Sequence, residues 1–366
     1  MYSKEILELV EKINDEVDLI DVNFKFEKSN KPPTQASSEF LTNKEQGDWA
    51  EKTILSAINK YSKDYVAVMY GLGDNLVAGE DGFTDFFEKY QNELERIGKR
   101  PDLLIFKKSD YKTEWNHDIR NFSDEELDEI VPKAVSGFEV RSSSFLITKY
   151  NQYMSARLSN ARDNIFRCRE EILSKYSDLL KKKNHNLFNI IQDLINEDNL
   201  DTIDFRRPNW RSTQELDQLS DLLKELKDNL KDIHKRSFLS ITPKTEDLAL
   251  VLKWIQKYNV QHYYIQVFFD KAYGISFKSI LNLLLTPDLE DKAFSIEKDV
   301  KNQHKTTVKI NTHRTNEIAG TINLPKHNSA MRELGRGRLL FYVTFEKSEA
   351  YLDAASLNEL VGYNLI

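Results

Sequence analysis

Cysteine is almost missing from this sequence: Cys168 is the single one in 366 residues. That excludes an intramolecular disulfide and a multi-cysteine zinc site, and it suits a reducing cytoplasm in which thiols stay free. Cys168 itself reads as a small core or helix-face residue. Glycine and proline are scarce, at 12 and 8, which excludes collagen-like and low-complexity architectures. No run approaches the roughly 20 apolar residues that a membrane helix needs. The opening "MYSKEILELVEKINDEVDLIDV" places acids where a secretory leader needs an uninterrupted apolar stretch. The expectation is a cytoplasmic protein that does not enter a membrane. Several catalytic signatures are absent as well. The 7 histidines form no H-E-x-x-H spacing, so zinc hydrolysis is not expected. No G-x-S-x-G surrounds a serine, and "RSSSF" lacks the elbow glycines of a serine nucleophile. "YGLGDNLVAGEDGF" contains neither G-x-G-x-x-G nor a loop ending in Lys-Ser or Lys-Thr, so it reads as a turn region rather than a phosphate cradle.

What is present fits a globular, helix-rich protein: 40% of residues are hydrophobic and 30% charged, and the length suits one large or two modest domains. A net charge of −7 argues against nucleic acid as a partner, because phosphate binding needs local positive charge. A sum, however, does not describe a groove. Basic and amide residues cluster in "RSSSFLITKYNQYMSARLSNAR", "FRRPNWR", "HKTTVKINTHR" and "RELGRGR".

Apolar spacing predicts helices over 3–20 and 45–61, joined by the polar connector "KSNKPPTQASSEF". Strands are expected at 65–70, 102–106 and 137–145, the last two separated by an acidic loop or short helix, "NFSDEELDEIV". From 150 to 236 the pattern is helical, ending in "STQELDQLSDLLKELKDNLKDIHKR", where Ser212 or Thr213 is the expected cap. A helix, "TEDLALVLKWIQKY", and a strand pair, "HYYIQVFFDKAYGISF", follow. Further strands are expected at "TTVKINTH", "AGTINLP" and "RLLFYVTFEK", with a terminal helix near "DAASLNELV".

The informative feature is charge at the edges of two apolar strands: Asp102 in "GKRPDLLIF" and Glu139 in "GFEVRSSSF". Alternation puts Glu139, Arg141 and Ser143 on one face, and Phe138, Val140 and Ser142 on the other. Two carboxylates at the ends of adjacent strands make a hard oxygen site suited to Mg²⁺. A divalent ion there lowers the pKa of a water and stabilises charge developing on phosphorus. Arg141, on the same face, is placed to hold the attacking water or the scissile phosphate. Taken singly, Asp102 as a turn cap and Glu139 with Arg141 as an exposed salt bridge are the commoner roles. Jointly they are less so, because an unpaired carboxylate in a central strand costs several kcal/mol.

Pro101-Asp102 followed by Glu139-x-Arg141 resembles the PD-(D/E)xK nuclease superfamily, with Arg141 where lysine usually stands. "QGDWAEKTILSAI" resembles that superfamily's first helix, in which a glycine is followed four residues later by an inward-pointing glutamate, here Gly47 and Glu51. Four segments in order, "YGLGDNLVAGEDGF", "IGKRPDLLIF", "FEVRSSSF" and "KWIQKYNVQHYYIQVFFDKAYGISF", are similar to the AccI-like type II restriction endonucleases over about 45 to 280. The resemblance implies an α/β (α+β) fold with a mixed central sheet flanked by helices and interrupted by a helical insertion. It divides the chain into an N-terminal helical region, 1–44, a nuclease core in two parts, 45–149 and 237–366, and an insertion, 150–236, for DNA recognition or dimerisation. It implies a homodimer that cuts a short, near-palindromic double-stranded DNA site with Mg²⁺ and leaves 5′-phosphates. Asp102 and Glu139 would bind the metal, and Glu51 would orient a water or a second ion, although a helix glutamate is ordinarily solvated.

Arg141 departs from the pattern. An arginine stays charged and does not serve readily as a general base, so its role would be electrostatic. Lys244 in "SITPKTEDL" is a candidate for a migrated lysine, against the commoner role of a surface residue near a helix start. For DNA contacts, Arg207, Asn209, Arg211 and Gln214 around Trp210, and His313 and Arg314 beside Asn311, have the chemistry to read base edges. Arg332, Arg336 and Arg338, among flexible glycines, and Ser143 suit backbone phosphate. Two other classes stay open: a repair or recombination nuclease of relaxed specificity, and a DNA-binding protein whose nuclease core has decayed.

Overall fold

The computed structural model describes residues 2–16, 28–29, 31–73, 76–195, 199–286, 289, 293–299 and 305–362. The chain divides into two compact units, one formed by 1–147 with 239–366 and the other by 148–238. The first unit opens with α1 (Tyr2–Glu16) and α2 (Ser38–Tyr61), then β1 (Tyr65–Met69), α3 (Phe83–Ile97), β2 (Leu103–Lys107), α4 (Asp124–Ile130) and β3 (Ser136–Ser142). Helix α5 (Ile147–Lys175) leads into α6 (Ser177–Lys183), α7 (His185–Gln192) and α8 (Gln214–His234). The chain returns through β4 (Ser240–Ile241), α9 (Thr245–Tyr258), β5 (Gln261–Val267), β6 (Ala272–Ser276) and α10 (Phe277–Leu284). It ends with β7 (Phe294–Asp299), β8 (Lys305–Asn311), β9 (Asn316–Ile322), β10 (His327–Leu334), β11 (Arg338–Phe345), β12 (Ala350–Leu352) and α11 (Ala354–Gly362).

Seven strands form one sheet in the order β1-β2-β3-β5-β6-β9-β12. Strands β3 and β5 are parallel, Ser136 opposite Gln261 through Ser142 opposite Val267, and the other pairings are antiparallel, so the sheet is mixed. A parallel pair needs a long crossover, and here that crossover carries the whole second unit. Both faces of the sheet are covered, which explains the nearly unbroken apolar strands. Val66, Val68, Leu104, Phe106 and Tyr264 face a core built with α1, α9 and α10. Tyr65, Ala67, Leu103, Ile105, Phe138, Val140 and Tyr263 face the opposite core with α2 and α11. Period-two alternation along β3 therefore turns Glu139 away from the α2 face.

The local sequence explains the element ends. Ser37 caps α2, accepting from Phe40 N at 3.1 Å, so this helix starts at Ser38 rather than at 45. Ser123 and Glu126 close a capping box on α4, and Thr213 rather than Ser212 caps α8. Strand β3 ends at Ser142, short of the expected 145. Helix α3 was not anticipated, although its Phe83, Phe86, Phe87, Tyr90, Leu94 and Ile97 follow a three-four spacing. Residues 17–20 of the first expected helix and Asp74 and Asn75 of the expected loop lie outside the described residues.

In the second unit, Ile165, Cys168, Ile172, Leu180, Leu187, Ile191, Leu219, Leu223, Leu226 and Leu230 form one apolar core. Cys168 is a fully buried free thiol, and burial pushes its pKa up to about 11, which keeps it inert. Among the described residues no helix is long and apolar enough to cross a membrane.

Candidate active site

Asp102 sits one residue before β2. Because Leu103 lies opposite Phe138, the next antiparallel step brings Asp102 beside Glu139. The contact is direct: Val140 N donates to Asp102 Oδ2 at 2.6 Å. Tyr70 N and Gly71 N donate to the Asp102 carbonyl at 2.9 and 3.1 Å. A Cβ on Gly71 would stand 3.1 Å from Asp102 Cα and 3.3 Å from Oδ1, so a side chain there would crowd the acid.

The pair forms part of a cleft of about 690 Å³. Gly47, Glu51, Asp102, Glu139 and Arg141 all line it, together with Lys44, Lys52, Tyr90, Lys99 and Arg120. All four residues expected to be catalytic thus share one cavity. Gly47 sits in the middle of α2 with no atom within 4 Å of its would-be Cβ, so packing does not require a glycine there. Arg120 donates to Asp118 in a bidentate pair at 2.9 and 2.6 Å.

Glu139 lies in a closed ring of charges. Lys99 Nζ is 2.6 Å from Glu139 Oε1 and 3.4 Å from Asp247 Oδ2, while Arg141 Nη2 is 2.9 Å from Glu139 Oε1 and 2.6 Å from Asp247 Oδ2. The Glu139 side chain is 3% exposed, and its second oxygen, Oε2, is buried with no hydrogen-bond partner. Burial works against the charge on Glu139, but Lys99 and Arg141 outweigh it and hold its carboxyl below the usual range. Burial likewise opposes the charge on Asp247, which the same two cations keep low. Burial and Arg141 disfavour the Lys99 ammonium, yet Asp247 and Glu139 hold its pKa above the ordinary value. Asp102 goes the other way: removal from water, then the adjacent Glu139, push its carboxyl well above the carboxylate range.

Lys99 and Asp247 were not singled out from the sequence. Lys99 stands inside the quoted "GKRPD", but only folding brings it to Glu139. Gly98 is at φ +79°, and a Cβ there would meet Leu250 O at 2.2 Å and Trp254 N at 2.8 Å. The chain can therefore press against α9, where Lys99 N donates to Leu250 O at 3.2 Å and its side chain meets Asp247. Lys244 immediately precedes α9 without a side-chain capping bond and contributes to the field on Asp247, and it is not among the cleft-lining residues.

The expected DNA-contacting residues are dispersed. Ser143 follows β3 and is not among the cleft-lining residues. Arg332 is held by Glu80 in a bidentate pair at 2.6 and 2.8 Å, whereas Arg336 and Arg338 are exposed at the β10–β11 turn, with Arg336 at φ +64°. His313 and Arg314 are exposed in the turn between β8 and β9. Arg207, Asn209, Arg211 and Gln214 are exposed in the second unit. There Arg211 pairs with Asp217 and with Asp221.

Fold and site together define a mixed α/β protein with a cleft lined by charged side chains. The chain belongs to the AccI restriction endonuclease family, whose sequence model matches residues 1–365. It is thereby a type II restriction endonuclease, a site-specific deoxyribonuclease acting on DNA. No curated protein and no solved structure matches the chain.

Proposed function

We propose that the protein hydrolyses phosphodiester bonds with Mg²⁺ at a short, near-palindromic double-stranded DNA site. The fold is read as PD-(D/E)xK-like, and the protein as a cytoplasmic homodimer that leaves 5′-phosphates. The observation that carries this reading is the acid pair: Asp102 fixed by Val140 N, next to a Glu139 whose Oε2 is buried without a partner. Two adjacent carboxylates, one with its pKa raised by removal from water and then by the charge of the other, are relieved by a hard cation. Mg²⁺ takes one or two protein carboxylates and completes its shell with water and phosphate oxygens. Among the described residues no cluster of three or more His, Cys, Asp or Glu is arranged for a metal, so the donors would be this pair plus substrate.

Asp102 and Glu139 Oε2 would hold the ion, which when bound supplies an acidified water and offsets charge on the scissile phosphate. Arg141 reaches the cleft with its charge held permanently by Glu139 and Asp247, and it would stabilise the phosphate rather than take a proton. Glu51 lines the same cleft from α2 and would orient a water or a second ion. Lys44, Lys52 and Arg120 line it too and favour a polyanion. Base readout is assigned to Arg207, Asn209, Arg211, Gln214, His313 and Arg314, and phosphate contact to Ser143, Arg336 and Arg338; Arg332, expected with them, is instead held by Glu80.

The test is digestion of unmethylated plasmid and phage DNA with Mg²⁺ or EDTA, using wild type, Asp102→Ala and Glu139→Ala. Discrete fragments that need Mg²⁺ and vanish in both variants are expected. Intact DNA with wild type on every template, or cleavage that survives both substitutions, would overturn the reading.

A further inference from the structure

Two charged groups facing the acid pair have no part in the roles assigned above: Lys99, on the segment leading into β2, and Asp247, in the first turn of α9. With Glu139 and Arg141 they close a ring in which each cation touches both anions, at 2.6 and 3.4 Å for Lys99 and 2.9 and 2.6 Å for Arg141. The ring holds two anions and two cations and is neutral in itself. Asp102 is the carboxylate left outside it. Both cations converge on one oxygen of Glu139, Oε1, and the other, Oε2, is left buried and unpartnered.

We propose that Lys99 and Asp247 are positioning residues of the nuclease site: the Lys99 ammonium, anchored by Asp247, occupies Glu139 Oε1 and so leaves Glu139 a single oxygen for a divalent cation. The proposal rests on Asp102 and Glu139 being the cation-binding pair. Lys99 thereby sets the net charge at the site and, together with Arg141, leaves Oε2 as the oxygen Glu139 offers. Gly98 makes this possible, because its positive φ and missing Cβ let the chain lie on the α9 backbone and deliver Lys99 to Asp247. The two residues act with opposite sign. Without the Lys99 charge, Arg141 alone is left on Glu139 Oε1 and the site gains one negative charge, so a divalent ion binds more tightly. Without the Asp247 charge, Lys99 and Arg141 have Glu139 as their remaining partner in the ring, so the ion binds more weakly. A merely structural ion-pair network would change stability and show no such opposition.

The test is calorimetric titration of the full-length protein with Ca²⁺ and Mn²⁺ in the absence of DNA, with thermal unfolding run on each variant. Lys99→Met and Lys99→Gln are expected to tighten binding by about tenfold or more, and Asp247→Asn to weaken it by about as much, since a unit charge a few ångströms away shifts ion affinity by at least that factor. Single-turnover cleavage should fall in all three. Unchanged cation affinity in folded Lys99→Met and Lys99→Gln, with binding abolished by Asp102→Ala, would overturn the inference and leave the acid pair standing. Binding that persists in both Asp102→Ala and Glu139→Ala, or that is missing from wild type, would instead overturn the acid-pair reading on which it rests.

Discussion

At the scale of single residues, the site depends as much on missing side chains as on charged ones. At Gly71 a Cβ would stand 3.1 Å from the Asp102 backbone and crowd it. Gly47 is bare although nothing stands within 4 Å, and glycine inside a helix costs about 1 kcal/mol relative to alanine. That cost is retained where the helix lines the cleft. Gly47→Ala should therefore raise stability by about 1 kcal/mol in urea unfolding. Gly47→Leu should fold equally well yet cut DNA roughly 10- to 100-fold more slowly, because a displaced scissile phosphate loses its alignment. A Gly47→Leu enzyme with wild-type single-turnover rates would place the DNA elsewhere. His262 is a residue of another kind: it is fully buried among Trp254, Tyr264 and Phe277, with neither ring nitrogen hydrogen-bonded. It belongs to the core, and it matters for the stability of the whole chain.

At the scale of elements, the approach of the α3–β2 segment to α9 is what assembles the charge ring. Alanine at Gly98 would collide with backbone atoms of α9 at 2.2 and 2.8 Å while holding φ at +79°. Neither partner is a flexible side-chain tip, so Gly98→Ala should cost about 3 kcal/mol or more, read as a fall in the urea midpoint. The β10–β11 ribbon supplies a second elemental test. Arg332 is clamped by Glu80, whereas Arg336 and Arg338 are exposed in the turn. Each phosphate contact contributes about 0.9 to the slope of log affinity against log salt. Arg336→Ala and Arg338→Ala should each reduce that slope by about 1, and Arg332→Ala should leave it nearly unchanged. Filter-binding titrations between low and moderate salt would check this, and equal effects from all three would remove the distinction.

At the scale of the whole molecule, burial pushes the His262 pKa down to about 3, while in the unfolded chain it lies near ~6.5. Between these values the unfolded state takes up a proton that the native state does not. Stability is thus unaffected by this group above about pH 6.5 and falls as pH drops, by up to about 1.4 kcal/mol per unit. His262→Leu should flatten the slope, so its stability relative to wild type should improve from pH 8 to pH 5 in urea unfolding; a constant difference would show that His262 does not titrate on unfolding. The sequence by itself determined a good deal. Strand alternation, apolar runs and caps marked most elements of the sheet, and "PD", "EVR" and "GDWAE" named four residues that prove to share one cleft, because strand and helix periodicities fix which side chains share a face. Other features it left open. Helix α3 was passed over among loop signals, and Lys99 and Asp247 were invisible as partners. They are 148 residues apart in the chain, and nothing local marks either one. Only the tertiary structure decided their meeting, through a glycine that lets one backbone lie on another and a long crossover that returns α9 to the sheet beside β3.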